Sequence, residues 1–450
     1  MPRVRKRSPQ AAGRSGLCGY GFGQRRAIGS DTRLRSRCLW VQIPNLMNCP
    51  TPPLSLPAAL DLILHTLEPQ AETEKVGLPF ANGRILADGI EASRDVPPFA
   101  SSAMDGYALR HADVLDEIPL RVVATVYAGA PWPHTLAPGQ CVRLFTGAPV
   151  PAGADTVVMQ EQVNREGDAI RIKGTIKPGD HIRPRGDEAR QGDRLLPPGQ
   201  QLTPENIGLI ASLGQAHVKV KTLPRIALFT TGDELCPLDQ EPACGQIYDS
   251  NRYLLKALLN EQGLEARDHG IIPDDPDTLR QTLLRASTGA AVILTTGGAS
   301  VGEADQVVNT VRELGEVFFW QVAIKPGKPF LFGRVGSSYL FGLPGNPVAV
   351  SITFRQLVLP GLMRLMGRTP PLPFRCQAKT LTPLKKQPGR LEFKRAHLQV
   401  NEQGEPVVRA MDKQGSHQLS GFSEANALIL LAPDCTAVAA GEFVTVELLP

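Results

Sequence analysis

Apolar and polar positions divide the chain into stretches of different period. From Arg225 to about Gly367, short unbroken apolar runs alternate with helical patterns. Ile226-Ala-Leu-Phe229 and Ala290-Ala-Val-Ile-Leu294 have strand length and no polar interruption, as expected of strands buried on both faces. Asn251 to Asn260 carries Leu254, Leu255, Leu258 and Leu259 at helical spacing, and Asp275-Pro276 opens a helix with Leu279, Leu283 and Leu284. Leu264–Ile272, Val317–Val322, Pro329–Phe332 and Tyr339–Phe341 complete the predicted strands, and a long helix begins at Asn346-Pro347, with Pro360 expected to kink it. Repeated β-α-β with short connections predicts a doubly wound, mainly parallel sheet.

On either side the pattern changes. Ser55 is placed to cap a helix bearing Leu56, Leu60, Ile63 and Leu67, and Thr203-Pro204-Glu205 starts another. Between them, short alternating runs such as Leu120–Val126 and Cys141–Phe145 are punctuated by Pro and Gly, which reads as a small β-rich domain. Residues 373–450 return to short strands, among them Ala427–Leu431 and Glu442–Leu448. The expected organisation is multidomain, α/β plus β. A discontinuous linker or helical domain (47–95 with 189–223) carries an inserted β-rich domain (96–188). The central α/β domain (224–372) and a C-terminal β domain (373–450) follow.

Composition narrows the function classes. Apolar content is 42% and charged content 20%, the balance of a soluble globular protein. No apolar run is expected to reach the roughly 18–20 residues needed to cross a membrane. Residues 1–46 hold ten Arg/Lys against one acid, Asp31, while the rest carries 38 basic and 43 acidic residues. The mildly acidic body excludes a nucleic-acid groove as the main business. The Arg-rich start has no apolar core of a secretory signal. An over-long start upstream of Met47 accounts for it more simply than a mitochondrial-type presequence, so residues 1–46 are expected to be disordered or absent from the native protein. Eight scattered cysteines form no C-x-x-C pair, which disfavours zinc and suits a reducing cytoplasm.

In a parallel sheet, ligands gather beyond the carboxyl ends of the strands, and the unusual loops of residues 225–367 are expected on that rim. They are Thr230-Thr-Gly-Asp-Glu234, Asp274-Asp275, the Leu294-to-Asp305 stretch with Gly297 and Gly298, Lys325-Pro-Gly-Lys328 and Gly342-Leu-Pro-Gly-Asn-Pro347. A strand, a glycine turn and a helix start leave free N–H groups facing one spot, suited to phosphate or another oxyanion. Asp233, Glu234, Asp274 and Asp305 are oxygen ligands of the kind Mg²⁺ takes. The bland alternative is a helix cap, and for Asp275, followed directly by Pro276, that is the favoured reading. Thr231, Gly232, Gly297, Gly298, Ser300, Lys328 and Asn346 complete the candidate ligand contacts on these loops.

Six segments in register carry a resemblance. Met104-Asp-Gly-Tyr-Ala108, Thr146-Gly-Ala-Pro149, Thr231-Gly-Asp-Glu-Leu235, the Thr296-to-Asp305 loop, Lys325-Pro-Gly-Lys-Pro329 and Gly342–Pro347 together resemble the molybdopterin molybdenumtransferase family, which includes MoeA and the gephyrin E domain. The resemblance covers about 47–450. It implies an elongated four-part homodimer whose cleft takes residues from the β domain of the second subunit. It implies insertion of molybdate, as substrate, into adenylylated molybdopterin with Mg²⁺ and release of AMP, alongside other molybdenum cofactor biosynthesis proteins. By likeness, Asp105, Glu234, Asp274 and Asp305 are the acidic site residues, and Glu234, Asp274 and Asp305 are the metal ligands. Thr146, Lys325, Pro344 and Pro347 line the cleft, and Arg395 and Ser416 reach toward molybdate or ligand. Gly186-Asp-Glu188 and Gln321 depart from the family's pattern. Two other readings stay open: adenylylation of molybdopterin from ATP, and a dimeric scaffold without chemistry.

Overall fold

Strands covered on both faces can be apolar throughout, and the α/β part of the protein is built on such strands. In a computed structural model that describes residues 52–114, 118–297, 306–370 and 372–449, helix α1 (Leu56–Thr66) precedes six strands. These are β1 (Ile226–Thr231), β2 (Ala266–Ile272), β3 (Val292–Thr296), β4 (Gly315–Gln321), β5 (Pro329–Val335) and β6 (Ser338–Leu343). Every residue of β1 and β3 is buried. The sheet order is β2-β1-β3-β6-β5-β4. The first four strands are parallel, with Ile226 opposite Val292 and Val292 opposite Tyr339. β5 runs antiparallel to both β6 and β4, so it alone opposes the other strands.

Successive side chains of a strand point to opposite faces, and each face has its own core. Ile226, Leu228, Val292 and Leu294 pack with Leu255, Leu258 and Leu259 of helix α2 (Ser250–Asn260). Ala227, Phe229 and Ile293 pack with Leu279 and Leu283 of α3 (Pro276–Ser287) and with Val307 and Val311 of α4 (Gln306–Leu314). Ile63 and Leu67, in and just after α1, join the first of these cores. The sequence reading groups that helix with residues 189–223 instead.

The helical stretch from Pro347 comprises α5 (Pro347–Thr353), a π-helical turn (Phe354–Val358) and α6 (Leu359–Leu365). Pro360 has no N–H to donate to the carbonyl four residues earlier. The widened turn before it absorbs that loss without ending the helix. The 19 residues Pro347–Leu365 have a mean hydropathy of 1.3 and are 72% buried. Arg355, Gln356 and Arg364 interrupt the stretch, so it is not an unbroken apolar run, although by length and mean composition alone it could cross a membrane. It has that composition because it forms the core under the sheet.

The chain leaves toward the inserted sheet at Val96 and returns at Ala189, where the Val96 N–H donates to the Ala189 carbonyl at 2.8 Å. Around that junction, Thr73–Gly77 pairs antiparallel with His217–Lys221, over a core that includes Leu86, Leu202, Ile210 and Val220. Beyond it lies a six-stranded sheet centred on Gly106–Leu109, Gln140–Leu144 and Leu120–Val126. At the C-terminal end a third six-stranded sheet closes on itself through the pairing of Leu391–Val400 with Ala427–Leu431. The α/β part contributes Ile324–Lys325 as its outer strand, parallel to Leu391 and Glu392.

Candidate functional site

The carboxyl rim begins at Thr231, at the end of β1. Gly232 takes φ +147, and a Cβ on it would lie 2.4 Å from Glu234 Oε2, so only glycine lets the Glu234 carboxylate fold back over the turn. The Gly232 N–H donates to the Ile272 carbonyl at 3.3 Å, and the Asp274 N–H donates to Asp233 Oδ1 at 3.1 Å. These two bonds lock the loops after β1 and β2 together and bring Asp233, Glu234 and Asp274 to one place. Burial, then the charges of Asp233 and Glu234, push the Asp274 carboxyl above its ordinary value. Asp275 faces away as the N-cap of α3, accepting from the Thr278 N–H at 2.8 Å and hydroxyl at 2.6 Å.

Gly297 closes β3 at φ +89. A Cβ there would lie 2.1 Å from the Thr231 carbonyl oxygen. The β1 and β3 loops approach too closely for any side chain at that point. Gly298, Ser300 and Asp305 lie outside the described residues. Among the described residues, no group of three or more His, Cys, Asp or Glu is arranged to hold a metal. Asp233, Glu234 and Asp274 share one stretch of the rim, and the raised Asp274 pKa records their mutual repulsion.

Sequence reasoning missed Asn251. It sits in the first turn of α2, 8% exposed. Its Nδ2 donates to the Gly345 carbonyl at 2.7 Å and to Thr296 Oγ1 at 3.3 Å. One amide therefore ties the β3 end to the Gly342–Pro347 loop. Among the described residues, its Oδ1 and the Thr231 hydroxyl, both buried, have no partner. Beside it Asp249, 1% exposed, caps α2 and accepts from Thr230 Oγ1 at 2.7 Å and Arg252 Nε at 2.9 Å. The available signal was Asp249-Ser-Asn251 ahead of an apolar helix.

β4 runs parallel to β6, so the loop with Lys325 and Lys328 leaves the sheet on the same rim. Lys325 is half exposed, with Nζ 3.4 Å from Glu392 Oε1; the nearly buried Glu392 also pairs with Lys394 at 3.0 Å. Pro344 is buried, Pro347 is half-buried and Asn346 is exposed. Asn346 and Pro347 begin α5, and the Val348 N–H donates to the Ser416 carbonyl at 3.1 Å. Ser416 thereby reaches the rim through its backbone.

The expectation for Arg395 is corrected. It is 1% exposed, and its guanidinium donates to the Gln418 carbonyl at 2.6 Å and the Gly415 carbonyl at 3.1 Å. It also lies over the Phe422 ring. Buried and turned inward, Arg395 holds the loop that carries Ser416 and presents no charge to the cleft.

Asp105 and Thr146 form a second constellation, in the inserted sheet. Gly106, next to Asp105, allows no side chain, since a Cβ would lie 2.0 Å from the Val158 carbonyl oxygen. The turn is thereby pressed against the neighbouring strand, and Asp105 Oδ1 accepts from both the N–H and the hydroxyl of Thr146 at 2.8 Å. Those bonds, in that order, with the Arg143 charge, hold the Asp105 carboxyl below its ordinary value. Arg143 lies over the rings of Tyr107 and Phe145, and Phe145 stacks on the exposed Tyr127 at 4.8 Å. The hydrogen bonds of this pair stay within the inserted sheet, while those of the rim stay within the α/β part and the C-terminal sheet.

Comparison with known proteins gives the same order of parts. Residues 54–214 match the MoeA N-terminal region (domain I and II), residues 227–364 match a probable molybdopterin binding domain, and residues 377–449 match the MoeA C-terminal region (domain IV). The chain is 40% identical over 399 residues to a molybdopterin molybdenumtransferase of Haemophilus influenzae, covering 88% of this chain and 98% of that one. It is 42% identical over 310 residues to one of Nostoc, covering 67% and 71%. A crystal structure of the molybdopterin biosynthesis MoeA protein from Pyrococcus horikoshii superposes with a TM-score of 0.73 at 30% identity, covering 88% of this chain and 100% of that chain. With a central α/β part, flanking β-rich parts and matches along nearly its whole described length, the chain belongs to the molybdopterin molybdenumtransferase, or MoeA, family.

Proposed function

We propose that this protein inserts molybdate into adenylylated molybdopterin and releases AMP. The observation that carries the reading is the rim itself. Gly232 and Gly297 leave two strand ends bare of side chains, and Asp233, Glu234 and Asp274 gather beside them. Bare turns suit phosphate. Cleaving a phosphoanhydride needs charge neutralisation on the phosphate oxygens and an oriented attacking oxygen, with little covalent help from protein.

Glu234 and Asp274, with Asp305 as third ligand, would hold Mg²⁺, which would supply that neutralisation. Thr231 and the turn glycines cradle the phosphates. Lys325 and Lys328 attract the two oxyanions. Pro344, Asn346, Pro347 and the Ser416 backbone shape the cleft. The working form in this reading is a cytoplasmic homodimer in which Asp105 and Thr146 face the rim of the second subunit, as the family resemblance implies. The domain division is the one read from the sequence, with 224–372 as the ligand-binding part.

Purified protein, adenylylated molybdopterin, molybdate and Mg²⁺ provide the test. Molybdenum incorporation with stoichiometric AMP release is expected. ATP consumption with free molybdopterin, and no AMP from the preformed adenylate, would assign the neighbouring adenylylation reaction instead.

A further inference from the structure

At the opposite, amino end of the sheet lies a cavity of about 360 Å³ lined by Arg225, Glu265, Arg267, His269, Arg285 and Thr288, among others. Its volume is that of a small-molecule site. Arg225 directly precedes β1, and Ile226 pairs with Ala266, so Arg225 and the start of β2 are neighbours. Glu265, Arg267 and His269 occupy alternate positions along the chain, hence one face. Arg285 approaches from the last turn of α3. β1 is six residues long, which puts the cavity roughly 20 Å from the rim at about 3.3 Å per residue.

The charge here is unbalanced. Nearby arginines are paired: Arg252 with Asp249 and Asp268, Arg280 with Glu313, Arg334 with Glu316. Among the described residues Arg225, Arg267 and Arg285 make no salt bridge, although the Glu265 carboxylate lines the same space. A bland role for Arg285 would be to neutralise the carbonyl end of α3. The Arg285 guanidinium donates to Thr282 Oγ1 at 3.1 Å, and three of the four carbonyls at that end have other donors. The Leu284 carbonyl accepts from the hydroxyls of Ser287 and Thr288, the Ser287 carbonyl from the hydroxyl of Ser338, and the Arg285 carbonyl from the Thr288 N–H. Burial, then the charges of Arg267 and Arg285, depress His269 below its ordinary value, outweighing the opposing charge of Asp268.

We infer that this cavity is a second anion site, separate from the catalytic rim, which binds a small phosphate-bearing anion through Arg225, Arg267 and Arg285. Three guanidiniums against one carboxylate leave a net charge that matches a phosphate dianion, and guanidinium forks suit its oxygens.

The test uses the full chain and inorganic phosphate, with sodium chloride at matched ionic strength as control. The His269 ring resonance, assigned by its loss in His269→Asn, reports on the cavity and not on the rim. Phosphate is expected to shift it saturably and to raise its pKa, with chloride having little effect. Arg267→Gln with Arg285→Gln should weaken that phosphate response by about tenfold or more and leave AMP release intact. Lys325→Ala should leave the response unchanged. If the double variant does not fold, Arg225→Gln alone should still weaken it. A response equal to that of chloride, or one unaltered by the arginine substitutions, overturns the inference.

Discussion

The Asp274 N–H donates to Asp233 Oδ1 at 3.1 Å. That bond holds two acidic loops together against the repulsion of their own carboxylates. Asp274 is exposed, yet burial of its carboxyl with the charges of Asp233 and Glu234 raises its pKa. A backbone donor thus sustains a cluster that side-chain electrostatics alone would disperse.

Asp274→Asn tests this through pH. An acid whose folded pKa is raised binds protons better in the native state, so its contribution to stability falls as pH rises from the ordinary value, about 3.9, through the raised one. Above both, the penalty is complete. The variant should therefore melt slightly higher than wild type at pH 7 and equal to it at pH 3. The gain should stay within about 0.5 kcal/mol, because solvent screens an exposed group. AMP release should be lost. A lower melting point at pH 7 would assign Asp274 a structural role.

Gly297→Ala should be far worse than Gly263→Ala. Both glycines have positive φ, so each substitution carries backbone strain of about 1–3 kcal/mol. Only at Gly297 does the new Cβ meet backbone, the Thr231 carbonyl oxygen at 2.1 Å; at Gly263 nothing lies within 4 Å. Denaturant melts of both variants decide the matter. Equal losses would mean that the β1 and β3 loops separate without cost.

Lys325→Ala should weaken binding more than folding. Lys325 is half exposed, and Glu392 retains Lys394 at 3.0 Å when it is gone. The stability change should stay within about 0.5 kcal/mol, while a lost charge-assisted contact to an oxyanion should cost about 1.5–3 kcal/mol of affinity. Calorimetry with the adenylylated substrate separates the two.

Asp105→Asn and Asp274→Asn should complement each other. If Asp105 serves the rim of the second subunit, each homodimer is inactive, while a mixed dimer contains one site with both acids. Co-expressed chains carrying different affinity tags, purified in tandem, should recover about half of wild-type AMP release per dimer, as one of two independent sites. Thr146→Val, which removes one of the two bonds to Asp105 Oδ1, should raise the Asp105 pKa. A depressed carboxyl stabilises the fold above its unfolded pKa and loses that effect as pH falls through the folded one. The variant should therefore lose less stability on acidification, with carboxyl NMR following Asp105 directly.

The elements most legible in the sequence are those decided locally or by burial on both faces. Ile226–Phe229 and Ala290–Leu294 read as strands because helices cover both sides of the sheet. Asp275-Pro276 reads as a cap because the capping bond spans only three residues. Strand direction is not carried by periodicity, so the antiparallel β5 was invisible. Arg395 was expected at the ligand by likeness to the family, and nothing local in the sequence marks it as buried. Its burial is set by carbonyls at 415 and 418, some 20 residues away. The same holds for Asn251, whose partner Gly345 is 94 positions distant.

Asn251 yields the last prediction. Its Nδ2 bonds the Gly345 carbonyl and Thr296 Oγ1, and donation to a carbonyl identifies that atom as nitrogen. In Asn251→Asp the shape is kept, but a carboxylate oxygen then faces the Gly345 carbonyl at a position 8% exposed. Losing the donor and leaving a charge in poor solvation should cost about 2–4 kcal/mol. Asn251→Ser removes the donor without adding charge, so it should cost only about 1–2 kcal/mol. If the amide's role is to hold the Gly342–Pro347 loop against the end of β3, the milder variant should raise KM for the adenylylated substrate more than it lowers kcat. A Ser variant with wild-type KM but reduced stability would show that Asn251 supports the fold without shaping the cleft.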